Sequence, residues 1–496
     1  MNMMSNSELG VQAPDSCVWT PKYTVILSVL CAAQVLDGID VTVVNVALPS
    51  IETELGFTAA SLSWVVNAYM VVFGGFLLLG GRAGDLLGRR RVFLAGLALF
   101  AVSSLGAGLA ASPAVLVAAR AVQGLAAALI APMTLALIAV TFPPGTARNR
   151  AFAIWGAAYG VSSAVGLLVG GVLANGPGWR WIFLVNIPIG LLLLLATVRY
   201  VPADRPARRH HRFDLVGALT STGGVSLLAY AVLQAPTGGW LTVTTLGLLI
   251  AAVVLLGYFA LHEWRFAAEP LLDTLLLRSR SVTGANVVTA VRGGAMFAVF
   301  YFATLYQQQV LHQSPLETGL AYLPMTLVLI VAAGLGPVLV RAAGIRVVLT
   351  IGSLIAAGGL LWFAQMSTGG SLWAGVIGPS IVVSIGFAVM VVPTTIAALT
   401  EVAKAHSGIA SALLNVSLQL GGALGLAVLS TAATTRNLSQ AGTHPDTALV
   451  EGYAFAFALA SALMAVTAVL AMVFFREQGR GQQVNVAELQ KESIHD

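Results

Sequence analysis

The chain has 496 residues, 58% of them hydrophobic and only 9% charged, with a mean hydropathy of +0.88. A soluble chain of this length would need several domains and about a quarter of its residues charged, so a soluble globular protein, a disordered chain and a coiled coil are excluded and a polytopic membrane protein remains. The net charge of +5 does not point to nucleic acid, because the basic residues fix topology, and Cys17 and Cys31 imply no disulfide framework.

A bilayer-spanning helix needs about 20 mostly apolar residues. Uncharged runs and the Gly/Pro/Asn breaks inside them predict fourteen spans. The first six lie at 24–47, 60–80, 92–111, 114–140, 151–174 and 181–200, and two more at 215–233 and 243–262. The last six lie at 283–308, 318–340, 346–365, 372–399, 407–432 and 452–475. The uncharged run Leu215–His262 divides at Gln234–Gly239, and Val347–Thr400 divides at Ser367–Gly370.

Cytoplasmic loops collect Lys and Arg. With the N-terminus inside, the cytoplasmic segments hold 21 of the 25 Lys+Arg, among them Arg82, Arg89 to Arg91, Arg148, Arg150, Arg341, Arg346 and Lys404. The outside keeps Arg180 and Arg436, and the membrane keeps Arg120 and Arg292. An even span count and two cytoplasmic termini therefore support each other. The first apolar stretch runs through Asp37 and Asp40 to Pro49 without a clear cleavage site, so it is an uncleaved span.

The turn after span 2 is Gly81-Arg82-Ala83-Gly84-Asp85-Leu86-Leu87-Gly88-Arg89-Arg90, and the turn after span 10 ends Arg341-Ala342-Ala343-Gly344-Ile345-Arg346. Gly88 aligns with Gly344 and Arg90 with Arg346, a displacement of eight spans. Two six-helix halves separated by a two-helix insert produce that displacement. The expected organisation is a tail (1–23), a six-helix bundle (24–200), a linker with inserted spans 7 and 8 (201–280), a second six-helix bundle (281–475) and a tail (476–496).

These residues resemble the major facilitator superfamily, specifically its fourteen-helix drug:proton antiporter branch. The 81–90 turn resembles the superfamily's cytoplasmic loop signature. Asp40–Pro49 resembles the branch's first-helix motif, and Arg120-Ala121-Val122-Gln123-Gly124 its motif with a membrane-buried arginine. Gly160, Gly166, Gly170 and Gly171 resemble the glycine-rich antiporter motif, although Leu167 stands where a proline is usual. Trp179–Gly190, Phe213–Gly217, Gly408–Ala412 and Gln419–Gly422 are similar to further segments of the branch, with Leu418 where a basic residue is common. The resemblance implies an all-α major facilitator fold with fourteen transmembrane helices, and export of antibiotics, dyes or lipophilic cations.

Of 20 Asp+Glu, only Asp37 and Asp40 sit well inside a predicted span. A carboxylate in hydrocarbon costs several kcal/mol unless it faces a cavity, pairs or protonates. Three residues apart, the two share a helix face, as expected of a site for proton coupling and cation binding. Arg120 and Asp40 lie at similar depths, about 9 and 12 Å from the outer surface at 1.5 Å per residue. Arginine keeps its proton, so Arg120 can bias the carboxylates but cannot carry the transported proton. Arg292, in the inner half of span 9, either meets an anionic substrate group or snorkels to the cytoplasmic surface, and the second fits its position better.

Gly81, Asp85, Gly88, Arg89 and Arg90 are expected to gate the cytoplasmic seam, with Asp85 beside the arginines holding the halves together in one state. Gly166, Gly170 and Gly171, with Gly156 and Gly160, recur at close-packing spacing and suit a hinge or seal. Trp155, Tyr159, Tyr306, Gln307, Asn415 and Gln419 are candidate contacts for a bulky amphipathic ligand. No Gly-x-x-x-x-Gly-Lys-Ser/Thr loop is present, His210-His211 suits a solvated patch better than a metal site, and neither an enzyme nor a cofactor is expected. The expected partners are a drug-like small molecule, protons and the bilayer of the plasma membrane, with the protein working as a monomer. A proton-coupled symporter, or an exporter of a lipid-like or endogenous metabolite, is the alternative from the same fold, and a non-transporting sensor or scaffold the remote one.

Overall fold

The computed structural model describes residues 20–143, 146–203, 214–265, 279–399, 407–439 and 444–475. Cys17, His210, His211, Phe213, Glu401, Lys404 and both tails lie outside the described residues, as do the side chains of Arg82, Asp85, Tyr159 and 407–412. All described elements are helical. Among the described residues eleven helices are long and apolar enough to cross a membrane, and three shorter apolar segments lie at Trp64–Leu77, Val165–Asn175 and Leu219–Val232. Together they are consistent with the fourteen predicted spans.

Polar caps and proline set the helix ends. Span 1 is Pro21–Leu55, opened by Thr20, whose hydroxyl accepts from the Tyr23 N–H, with Pro21 at the first helical position, where its missing N–H is harmless. It does not stop at 47, where the predicted span ends, and passes through Pro49. It continues until Gly56, whose left-handed backbone caps the helix by donating to the Glu52 carbonyl. The extra turns carry Glu52 and Glu54 beyond the apolar stretch. Ser112, Asp214, Ser279 and Ser314 open spans 4, 7, 9 and 10 in the same way. Spans 2 (Trp64–Leu87) and 3 (Arg89–Gly108) are separated by Gly88 alone, at φ +94°. Leu323–Phe363 holds spans 10 and 11, broken at Gly344 with φ +78°. Both aligned glycines thus adopt a backbone that side chains disfavour, and the two hairpins match in conformation as well as in sequence.

Spans 1 to 6 pack among themselves, with 2 on 4, 1 on 5 and 3 on both 4 and 6; in the second half 9 packs on 13, 11 on 12 and 11 on 14. Spans 7 (Leu215–Gly238) and 8 (Val243–Arg265) pair with each other, and span 7 lies against spans 2 and 13, one from each half. The repeat extends to single glycines. In the 1·5 pair Gly166 sits on Ile39 and Gly170 on Val43, and in the 9·13 pair Gly421 sits on Ala290 and Gly425 on Gly294. A Cβ at Gly421 or Gly425 would stand 2.4 Å from a Cα of span 9, so the backbones touch.

With successive spans antiparallel, Gly88, Gly344 and Arg89 to Arg91 share one face, called here the arginine face, and Glu52, Glu54 and Arg180 lie on the distal face. Near the distal face the halves meet. A Cβ on Gly171 of span 5 would stand 2.9 Å from the Pro315 carbonyl oxygen, and one on Gly319 2.6 Å from that of Leu167.

Candidate functional site

The core of the first half is polar where the sequence places charge in the membrane. Asp40 is fully buried and Asp37 nearly so. Arg120 Nη1 donates to Asp40 Oδ2 at 2.5 Å, while Oδ1 of Asp40 accepts from Asn186 Nδ2 at 2.9 Å and Gln123 Nε2 at 3.2 Å. Gln123 Nε2 also reaches Ser104 Oγ at 2.9 Å, and its Oε1 accepts from Arg120 Nη1 at 2.9 Å. Arg120 Nε donates to the Val65 carbonyl at 3.0 Å, and its guanidinium lies 4.5 Å from the centroid of the Tyr69 ring. This arginine is therefore both an ion-pair partner and a tie to the backbone of span 2.

Local sequence explains these positions. Arg120 and Gln123 are three apart on span 4 and share a face. Asn186 reaches Asp40 because span 6 is broken. Its first turn, Trp181–Leu184, is separated from Asn186–Tyr200, and Pro188 has no N–H to donate to the Leu184 carbonyl.

Asp37 has different company. Its carboxylate accepts from the Tyr69 hydroxyl and, at 3.1 Å, from Gln34 Nε2. Both partners are neutral. Thr134 Oγ1 donates to Gln34 Oε1 at 3.3 Å, and Trp155 Nε1 donates to Thr134 Oγ1 at 3.1 Å. A continuous polar chain therefore runs from Trp155 of span 5 through spans 4 and 1 to Tyr69 of span 2. Tyr69 joins it to Arg120 and Asp40.

The other candidate ligand contacts do not gather here. Tyr306 is fully buried and donates to the Ser367 carbonyl at 2.7 Å, which pins the end of span 9 to the turn between spans 11 and 12. Gln307 is buried beside it, with Nε2 on the Ala303 carbonyl of its own helix at 3.1 Å. Asn415 is exposed on span 13, and Gln419 is buried at the 2·13 seam, against Gly74. At the arginine face Arg90 Nη2 donates to the Val198 carbonyl at 2.6 Å, fastening span 3 to the end of span 6. Gly84 is packed against Met133, Gly81 is half-buried, and the Arg89 Nε is enclosed. Gly166 and Gly170 face span 1, whereas Gly171 faces span 10 of the other half.

Sequence reasoning missed three components. Tyr69 and Gln34, the neutral partners of Asp37, carry no motif. Asn186 lies inside a recognised segment, yet nothing there says that it turns inward. The third is a set of contacts across the distal end. Residues Tyr306–Val310 form a π-helical turn, a feature that gathers at functional sites. From it Gln308 Nε2 donates to the Val46 carbonyl at 2.8 Å and Gln309 Nε2 to Glu52 Oε2 at 2.7 Å, while Tyr453 donates to Gln309 Oε1 at 2.6 Å. Spans 1, 9 and 14 are tied together there.

Eleven long apolar helices and three shorter apolar segments among the described residues, two matched halves and a buried ion pair on the first span define a multi-pass membrane transporter rather than an enzyme. Residues 30–426 match the family model described as Major Facilitator Superfamily, and the chain belongs to that family. It is 39% identical over 471 residues to the puromycin resistance protein pur8 of Streptomyces alboniger, covering 93% of this chain and 92% of that protein. It is also 39% identical over 447 residues to the cephamycin export protein CmcT of Amycolatopsis lactamdurans, covering 89% and 92%. Among solved structures, a POT-family peptide transporter superposes with a TM-score of 0.66 at 16% identity, covering 90% of this chain and 93% of that one.

Proposed function

We propose that this transporter is a proton-driven exporter of antibiotics or other amphipathic, cationic compounds, working by alternating access in the plasma membrane with both termini in the cytoplasm. The observation that carries this is the pair of carboxylates buried in span 1, one ion-paired to Arg120 and the other held by neutral donors. The relatives named for puromycin resistance and cephamycin export support the direction and the substrate class. With no nucleotide-binding loop in the sequence, an ion gradient supplies the energy. Each proton crossing the membrane gains about 2.3 kcal/mol per 100 mV.

Protonating Asp37 breaks no ion pair, because Tyr69 and Gln34 are neutral, whereas protonating Asp40 frees Arg120. In the proposed cycle the outward-facing state takes protons onto these groups and the halves rock inward. A cationic compound then enters near Trp155 and Tyr159 and makes the carboxylates shed their protons to the cytoplasm. Gly81, Asp85, Gly88, Arg89 and Arg90 gate the cytoplasmic seam, and Gly166, Gly170 and Gly171 form the contact on which the halves move. The contacts at the distal face fit a state closed toward the outside.

The test uses acid-loaded inverted membrane vesicles with a pH-sensitive dye. Adding puromycin or ethidium should release protons, further acidification would instead mark symport, and no response to a broad panel would indicate a non-transporting protein. Asp40→Asn should abolish proton-linked transport while the protein still reaches the membrane, since the amide keeps an oxygen for Arg120. Full activity in that variant would remove the site assignment.

A further inference from the structure

We infer that Arg292 is an anion-recognising residue of the transport site, so that the site takes, besides cationic compounds, amphipathic ones that carry a carboxylate or a comparably acidic oxygen, zwitterions among them. This rests on the transporter reading above and adds a substrate chemistry to it.

The two arginines placed within the membrane spans, Arg120 fully buried and Arg292 partly so, are treated oppositely. Arg120 is ion-paired to Asp40, bonded to Gln123 and the Val65 carbonyl, and stacked near the Tyr69 ring. Arg292 has an enclosed Nε with no acceptor, and none of its side-chain atoms makes a hydrogen bond or ion pair among the described residues. Snorkelling does not account for it. Arg292 lies 12 residues beyond Arg280, the first residue of its helix, which is about 18 Å at 1.5 Å per residue and farther than its side chain extends. An arginine at such depth is expected to face a cavity and to find a counter-charge. The described residues provide none.

Its direction follows from its neighbours. Span 9 turns Ala290, Gly293, Gly294 and Phe297 toward span 13. At 3.6 residues per turn, Arg292 projects from the opposite side of the helix. The register of the repeat fixes its level. Ile39 and Val43 lie under Gly166 and Gly170 as Ala290 and Gly294 lie under Gly421 and Gly425, so Arg292 takes the place that Val41 holds in the first half. Val41 adjoins Asp40. The unpaired cation of the second half therefore lies at the level of the Asp40–Arg120 pair in the first. Span 9 is also largely enclosed by protein, with 72% of its most apolar stretch buried, and Val288 and Ala295, one turn either side of Arg292, are buried as well, so this side of the helix does not face lipid. An amphiphile between the halves would meet carboxylates on one side and a guanidinium on the other, which suits an organic acid or a zwitterion. Arginine binds a carboxylate through paired, charge-assisted hydrogen bonds.

The experiment compares acids with their own esters on the purified full-length protein in lipid nanodiscs. Rhodamine B, benzylpenicillin and cholate are each titrated beside the corresponding methyl or ethyl ester. For at least one pair the native protein should bind the acid about tenfold more tightly than the ester. Arg292→Gln should erase that preference by weakening the acid alone, and Arg292→Lys should retain part of it. Absence of an acid preference in every pair, or equal weakening of acid and ester in Arg292→Gln, overturns the assignment. Thermal unfolding of the variants in the absence of ligand shows whether a loss comes from misfolding, and Arg292→Lys then decides. Proton release on adding an ester, which does not need Arg292, separates the two ideas: if it is absent while the acid preference stands, only proton antiport fails.

Discussion

Arg120 and Asp40 are 1% and 0% exposed at their side chains, so neither can turn to water if the other is removed. Breaking such a pair from one side leaves an uncompensated charge and costs about 3–5 kcal/mol, while replacing both partners with neutral groups of similar shape costs far less. Arg120→Ala should therefore lower the unfolding temperature in detergent much more than the double change Asp40→Asn/Arg120→Gln. Both proteins should fail to couple drug movement to protons. If the double variant were as unstable as the single one, the hydrogen bonds of Arg120 to Gln123 and the Val65 carbonyl, and not the ion pair, would hold spans 1, 2 and 4 together. The meeting of these two residues could be anticipated by counting residues from the outer surface. The neutral partners of Asp37 could not, because Tyr69 lies 32 residues away on another helix and its facing depends on how spans 1 and 2 cross.

Among the helices, the inserted pair has its own fastening. Asp214 caps span 7 by accepting from the Gly217 N–H at 2.8 Å, and His262 Nε2 at the end of span 8 lies 2.9 Å from the same oxygen. Burial by itself would push the Asp214 carboxyl up, but hydrogen bonds involving Glu263, the Gly217 N–H and His262 outweigh it and hold the group below the ordinary carboxylate range. A group depressed in the folded state contributes stability above its unfolded pKa, near 4, and that contribution fades as pH falls through the lower folded value. Amide exchange in spans 7 and 8 should accordingly rise below about pH 4 in the native protein. Asp214→Asn, which keeps a cap but no titratable group, should exchange faster at neutral pH and change less with acid. Identical pH profiles would mean that the helices are held by packing alone.

At this scale the apolar runs suffice to locate the spans, and the Gly88 and Gly344 hairpins can be matched from the spacing of their glycines and arginines alone. Helix ends are less legible. Span 1 passes through Pro49 because a proline in a helix forfeits one hydrogen bond without forbidding the next turn, and Ile51 beyond it is fully buried. Tyr306 illustrates the opposite difficulty. An aromatic in an apolar stretch is equally at home against a ligand or a backbone, and nothing in the sequence tells that its hydroxyl meets the Ser367 carbonyl, 61 residues onward.

For the molecule as a whole, alternating access requires the distal contacts to break as a unit. They are few and polar at the 1·9 seam, with Gln308 on the Val46 carbonyl and Gln309 between Glu52 and Tyr453. A single hydrogen bond is worth only about 0.5–1.5 kcal/mol net, somewhat more when one partner is charged. This latch is thus strong enough to favour one state and weak enough to be opened by ligand or proton. The close backbone approaches of Gly171 and Gly319 beside it bring carbon against the carbonyl oxygens of Pro315 and Leu167 with no N–H or O–H donor, and they offer no comparable directional hold. Removing the latch should shift the population outward without disturbing either half, since each half keeps its own packing. Asn45 reports on this, being 1% exposed in span 1, next to the latched carbonyl of Val46. With Cys17 and Cys31 replaced by serine, a cysteine at position 45 should react slowly with a membrane-impermeant maleimide added from outside. Adding Gln308→Ala and Gln309→Ala should accelerate that labelling about tenfold, the factor that loss of 1.4 kcal/mol from the closed state produces. Unchanged labelling, with transport intact, would mean that the close glycine contacts between spans 5 and 10, rather than these amides, set the balance between the two states.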